Sequence, residues 1–159
     1  MDWLLRRMAL AFALIGVAVA LLVALMVVAS IAGRSLMRAP IPGDVEITQF
    51  GIGLCISLCL PWCQLHRANI IVDFFTQRLD ARRIQVLDGI GALLLALMCA
   101  LLAWRTGVGA FAVHEAHEAT MILDLPAWWG YASLAPGLAL AALIALVQAT
   151  RHFRGLEVA

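Results

Sequence analysis

Two groups of residues in this chain are of types that do chemistry. Cys55, Cys59 and Cys63 recur every four residues, with Cys99 farther along, and His114-Glu115-Ala116-His117-Glu118 sets two imidazoles beside two carboxylates. Thiols that exchange disulfides work as exposed pairs, often C-x-x-C, so that a thiolate can attack its target. Here the cysteines lie inside long apolar runs, and the segments that would face outward hold none. They read as small buried apolar residues rather than redox centres. A soft metal on the cysteine stripe would lack His or Met support. The histidines fall at i, i+3, one position short of the H-E-x-x-H pattern. If helical, they could still share a metal; the reading adopted is a solvated acidic face suited to docking another protein. His66 and His152 lie at the ends of apolar runs, so facing axial ligands for a membrane haem are not available. No catalytic residue, cofactor or metal is expected.

The elements that carry these residues are apolar to an unusual degree. The 159 residues are 64% hydrophobic and 13% charged, with a mean hydropathy of +0.98. Four runs, Met8 to Gly33, Ile47 to Leu65, Gly89 to Trp104 and Leu125 to Thr150, contain no Asp, Glu, Lys, Arg or His. Each, alone or with its flanks, is long enough to cross a hydrocarbon core of roughly 30 Å as a helix. The fold class is an all-α membrane protein, one domain over 1–159, with spans at about 8–33, 46–65, 84–105 and 125–150. Pathways for ions or charged solutes normally carry ionisable residues at mid-depth; these runs do not. The net charge of +1 says nothing about nucleic acid, but no basic run or RNA-type aromatic motif appears, so no nucleic-acid partner is expected and membrane lipid forms the surroundings. The apolar run after Arg6-Arg7 is too long for a cleavable signal and reads as a first helix.

Arginine placement sets the orientation. Arg6, Arg7, Arg67, Arg78, Arg82, Arg83, Arg151 and Arg154 fall on one side, against Arg34, Arg38 and Arg105 on the other, so both termini and the middle loop are expected inside the cell. Pro40-Ile41-Pro42-Gly43 is a turn-rich outer loop. Asp44 opens the second helix with Glu46 in its first turn, where a carboxylate complements the helix dipole. Pro61 predicts a kink or early unwinding. Ile71, Phe75 and Leu79 recur at helical spacing, which predicts a short amphipathic interfacial helix over 67–79, followed by Asp80 as an N-cap. Arg105 is expected to end the third span and reach the outer interface, the alternative being an ion pair within the membrane; with no proline between Pro61 and Pro126, Thr106 to Thr120 could continue the helix outward, weakened by Gly107 and Gly109.

Small residues repeat at i, i+4 in every run: Gly16, Ala20, Ala24; Gly51, Cys55, Cys59, Cys63; Ala92, Ala96, Ala100; and Gly137, Ala141, Ala145, Ala149. Such stripes let helix backbones approach closely in lipid. The Gly/Cys stripe of the second run is the best candidate for a packing face.

Three stretches resemble the small membrane subunit, DctQ type, of tripartite ATP-independent periplasmic (TRAP) transporters. Pro42-Gly43-Asp44-Val45-Glu46 is similar to the family's Gly-polar-x-Glu start of the second helix. Arg67-Ala68-Asn69-Ile70-Ile71-Val72-Asp73 resembles its basic-Gly-His-Ile-x-Val-Asp segment, with Ala68 and Asn69 replacing Gly and His. Leu123-Asp124-Leu125-Pro126-Ala127-Trp128-Trp129-Gly130-Tyr131 resembles its Leu-x-Ile-Pro-x-Trp-x-x-Tyr start of the fourth helix. The resemblance implies a non-catalytic scaffold in the bacterial inner membrane. Its partners would be a large membrane subunit that holds the transport path and a periplasmic substrate-binding protein. It also implies sodium-driven uptake of carboxylate-type solutes. On this reading Glu46, Pro126, Trp128 and Tyr131 organise the outer ends of helices two and four. Arg38, Asp44, Glu115 and Glu118 become candidates for contact with the binding protein.

Overall fold

A computed structural model describes residues 2–38, 41–66 and 81–153. The expected interfacial helix over 67–79 and the Asp80 cap lie outside the described residues. The fold is all-helical: α1 (Asp2–Met37), α2 (Asp44–Leu65), α3 (Ala81–Glu115) and α4 (Trp128–Phe153). All four are long and apolar enough to cross a membrane. Two run well past the expected spans. At 1.5 Å per residue, the 36 residues of α1 and 35 of α3 make rods of about 54 and 52 Å. Gly107 and Gly109 do not end α3, which continues to Glu115.

α2 begins at Gly43, whose carbonyl accepts the Ile47 N–H at 3.0 Å and whose φ of +73° is left-handed. It runs through Pro61 to Leu65, so the proline does not unwind its last turn. Proline has no N–H, which leaves the Ser57 carbonyl without its usual i+4 donor. That carbonyl faces α4 at Gly137, where a Cβ built on the glycine would run into the oxygen. Only a residue without a side chain fits so close to another backbone.

In space the order of helices is α1, α2, α4, α3. The pair α3–α4 packs most extensively, α1 lies on α2, α2 joins α4, and α1 touches α4 only marginally. The packing is inverted relative to a water-soluble protein. Most buried apolar positions are small: Ala9, Ala13, Ala96, Cys99, Ala110, Ala141, Ala145 and Ala149. Large side chains such as Leu22, Leu25, Leu97 and Phe111 face outward. In lipid the outward leucines lose nothing, and association rests on close backbone approach. On α1 the packing ridge runs Ala9, Gly16, Val23, Ser30, one residue per heptad, the repeat that keeps a seam facing its partner. Gly16 abuts Cys55 and Cys59, and Gly51 abuts Val23. The expected α1 stripe is therefore only partly used, since Ala20 and Ala24 are exposed. Likewise α3 turns Ala96, Cys99 and Ala110 inward and leaves Ala100 exposed. Larger apolar groups close the end of the bundle near the α1 N-terminus, where Leu5, Phe12, Trp62 and Leu65 surround Ala9, Leu140 and Ile144.

Candidate functional site

The polar residues gather where α1 and α3 end and α2 and α4 begin. α3 closes with a Schellman motif: the Glu118 N–H bonds to the Val113 carbonyl at 3.3 Å and the His117 N–H to the His114 carbonyl at 3.2 Å. His117 holds the left-handed position, φ +51°, that glycine usually takes. The chain then folds into a short hairpin. The Thr120 N–H bonds to the Leu125 carbonyl, the Ala127 N–H to the Glu118 carbonyl, and the Thr120 hydroxyl accepts the Leu125 N–H at 3.1 Å. The hairpin carries the chain directly into α4, so that helix starts at Trp128 rather than near residue 125.

Glu46 holds this hairpin against α2. Its carboxylate accepts the N–H of Ile122 at 2.8 Å and of Leu123 at 3.0 Å. These turn donors have no strand to pair with, and a charged acceptor bonds them more strongly than a neutral one. The Leu123 side chain fills the space where a Cβ on Gly43 would lie. Thus Gly43 and Glu46, three residues apart, grip one loop by shape and by charge. Asp44 works toward α1: it accepts the Ser30 hydroxyl at 2.6 Å and pairs with Arg34 at 3.3 Å. Ser30 is fully buried.

The other expected site residues are distributed around this rim. Pro126 faces Ala119 across the hairpin, and its carbonyl accepts the Trp129 N–H, opening α4. Trp128 meets the His114 ring edge-on at 5.2 Å, while His114 and His117 stack at 6.5 Å. Tyr131 lies against Gly109 of α3. Arg38, Glu115 and Glu118 are exposed. Among the described residues no group of three His, Cys, Asp or Glu side chains could hold a metal. Of the cysteine stripe, Cys55 and Cys59 lie against Gly16 of α1, and Cys63 is exposed.

A model of one protein family, the DctQ component of tripartite ATP-independent periplasmic transporters, matches residues 23–155. The chain belongs to the DctQ family. No curated protein and no solved structure matches it. This DctQ chain is thus a component of a TRAP transporter and a multi-pass membrane protein. Two of the stretches that carry the family resemblance, 42–46 and 123–131, touch each other through Gly43, Glu46 and Leu123; the third lies outside the described residues.

Three polar features of this DctQ chain were not singled out from sequence. Gln64 donates to the Gln148 Oε1 at 2.7 Å, and Gln148 donates back to the Gln64 carbonyl at 2.9 Å, both side chains buried. Ser57 donates to the Leu134 carbonyl at 2.7 Å. Ser30 seats Asp44. The available signal was polarity in an apolar run; a scan for charge alone passes over amides and hydroxyls. One apolar groove, about 650 Å³, lies between α3 and α4, lined by residues including Leu93, Leu97, Trp104, Ala139 and Leu143. It carries no group able to bind or transform a solute.

Proposed function

We propose that this DctQ component is a non-catalytic scaffold. It packs against the large membrane subunit, forming a heterodimer that widens the anchor of the transport path, and it contributes part of the surface on which the periplasmic binding protein docks. The transporter takes up carboxylate-type solutes across the inner membrane, driven by a sodium gradient. The arginine asymmetry supports cytoplasmic termini, which puts the rim of Glu46 and the 118–127 hairpin on the periplasmic side.

The observation that carries this reading is the Glu46 clamp. It ties the start of α2 to the loop before α4, while Ser57–Leu134 and Gln64–Gln148 tie the same helices lower down. Such cross-ties make the bundle one rigid unit, as a static anchor requires. Arg38, Glu115 and Glu118 are exposed at this rim and are the candidate contacts for the binding protein. Asp44, engaged by Ser30 and Arg34, supports the rim from within.

Deleting this chain from the intact three-part system is expected to abolish solute uptake. The purified chain alone in vesicles should transport nothing, and an affinity-tagged chain should recover the large subunit. Uptake that persists without this chain, or transport by it alone, would overturn the scaffold reading.

A further inference from the structure

α3 does not end at Arg105 but continues ten residues beyond it to Glu115. From Gly89 to Val113, α3 contains no other charged residue or histidine. The helix from Arg105 to His114 rises about 14 Å, and that from Asp88 to Arg105 about 26 Å. Gly109, one turn from Arg105, packs against Tyr131 in the first turn of α4, so Arg105 lies level with α4 residues well inside that helix. Its side chain is exposed and has no hydrogen-bond or ion-pair partner among the described residues.

The face that carries it has a regular pattern. Leu94, Met98, Leu101, Arg105, Val108 and Ala112 alternate four and three residues apart, and all are exposed. Ala96, Cys99 and Ala110, the residues that α3 buries, lie on a different side. A single polar residue on an apolar helix face that packs along a second helix fixes register and partner choice. An unpaired guanidinium there is costly in lipid. Reaching a lipid phosphate runs against the geometry. The Cα–Cβ bonds of a helix tilt toward its N-terminus, so Arg105 leaves the backbone toward Asp88 rather than toward the nearer polar end at His114.

We infer that the Leu94–Ala112 face of α3 is the contact for a transmembrane helix of the large membrane subunit, and that Arg105 pairs there with a carboxylate carried by that helix at the same depth. This rests on the proposed association with the large subunit and names the face and the charge that direct it. The pair forms only on assembly, so Arg105 acts as a recognition point rather than as part of a solute path.

The test uses the chain co-expressed with its own large subunit and binding protein. At equal amounts of tagged chain, Arg105→Leu is expected to recover at least about tenfold less large subunit than the unaltered chain. Arg105→Lys should retain an intermediate amount. The Leu variant removes a cation from an apolar surface, so the isolated variant should stay monodisperse, with a thermal midpoint no lower than before. A photoreactive residue at Leu101 should crosslink to the large subunit; this measurement stands even if a substitution at 105 misfolds. Full recovery of the large subunit by Arg105→Leu would overturn the inference. So would crosslinks from position 101 to lipid alone, or loss of a bound phospholipid from an otherwise intact complex. If even the unaltered chain fails to recover the large subunit, the subunit reading itself falls, and the Arg105 pair with it.

Discussion

Gly43 combines two demands that no other residue meets. Its φ is left-handed, and the Leu123 side chain occupies the position of a would-be Cβ. Gly43→Ala is expected to cost roughly 1–3 kcal/mol, read as a lowered thermal midpoint in detergent. Glu46 is the charge side of the same grip. Glu46→Ala leaves two turn N–H groups without their carboxylate and should lower the thermal midpoint in detergent. It should also expose the 118–127 hairpin to protease in reconstituted vesicles. Glu46→Gln keeps an acceptor without the charge and should lose less, and equal losses for both variants would show that the charge contributes nothing. His117 makes the opposite case. It holds a conformation that glycine adopts without strain, so His117→Gly should be neutral or raise stability by up to about 1 kcal/mol. His117→Val should lower it, because a β-branched side chain is poorly tolerated at positive φ.

Between helices, polar ties and small contacts share the work. The Gln64–Gln148 pair crosses from α2 to α4 with both side chains buried. Gln148→Leu alone should cost about 0.5–2 kcal/mol by removing the two hydrogen bonds it shares with Gln64, and the same change should cost less when Gln64 is already leucine. A double-mutant cycle on thermal midpoints reads the coupling directly, and additive losses would show that the pair is not coupled. Gly137→Ala drives a methyl into the Ser57 carbonyl and should separate α2 from α4, lowering stability more than alanine elsewhere on α4. How much of this was legible beforehand differs by element. Helix identity followed from apolar length, because lipid forces the backbone to satisfy its own hydrogen bonds. Helix ends were partly legible: the lack of proline before Pro126 already allowed α3 to continue past Arg105, and Thr106 to Val113 contains only apolar residues, glycine and one threonine, so no local signal stops it short of His117. Pro61 was expected to disturb α2, yet the carbonyl it frees is covered by Gly137, a tertiary contact invisible in the local sequence. The stripe positions failed in part, since which alanines face inward depends on the helix opposite.

At the scale of the molecule, the sequence indicated the class and the resemblance indicated the family, and the match over residues 23–155 agrees with both. The rim was half legible. From sequence Glu46 reads as an organiser of helix ends, but its acceptor role toward Ile122 and Leu123 depends on a contact 76 and 77 residues along the chain. That distance has a consequence for how the protein is made. During synthesis the α1–α2 hairpin is complete, and Asp44 can already meet Ser30 and Arg34, while the partners of Glu46 have yet to be translated. The clamp closes only after α3 has been inserted and the hairpin beyond it has reached the same side of the membrane as Glu46. Closure therefore reports correct topology: a chain with α3 inverted leaves the carboxylate without its donors. Such a chain is a recognisable substrate for membrane quality control, and cells expressing Glu46→Ala should accumulate less of the protein even when insertion is normal.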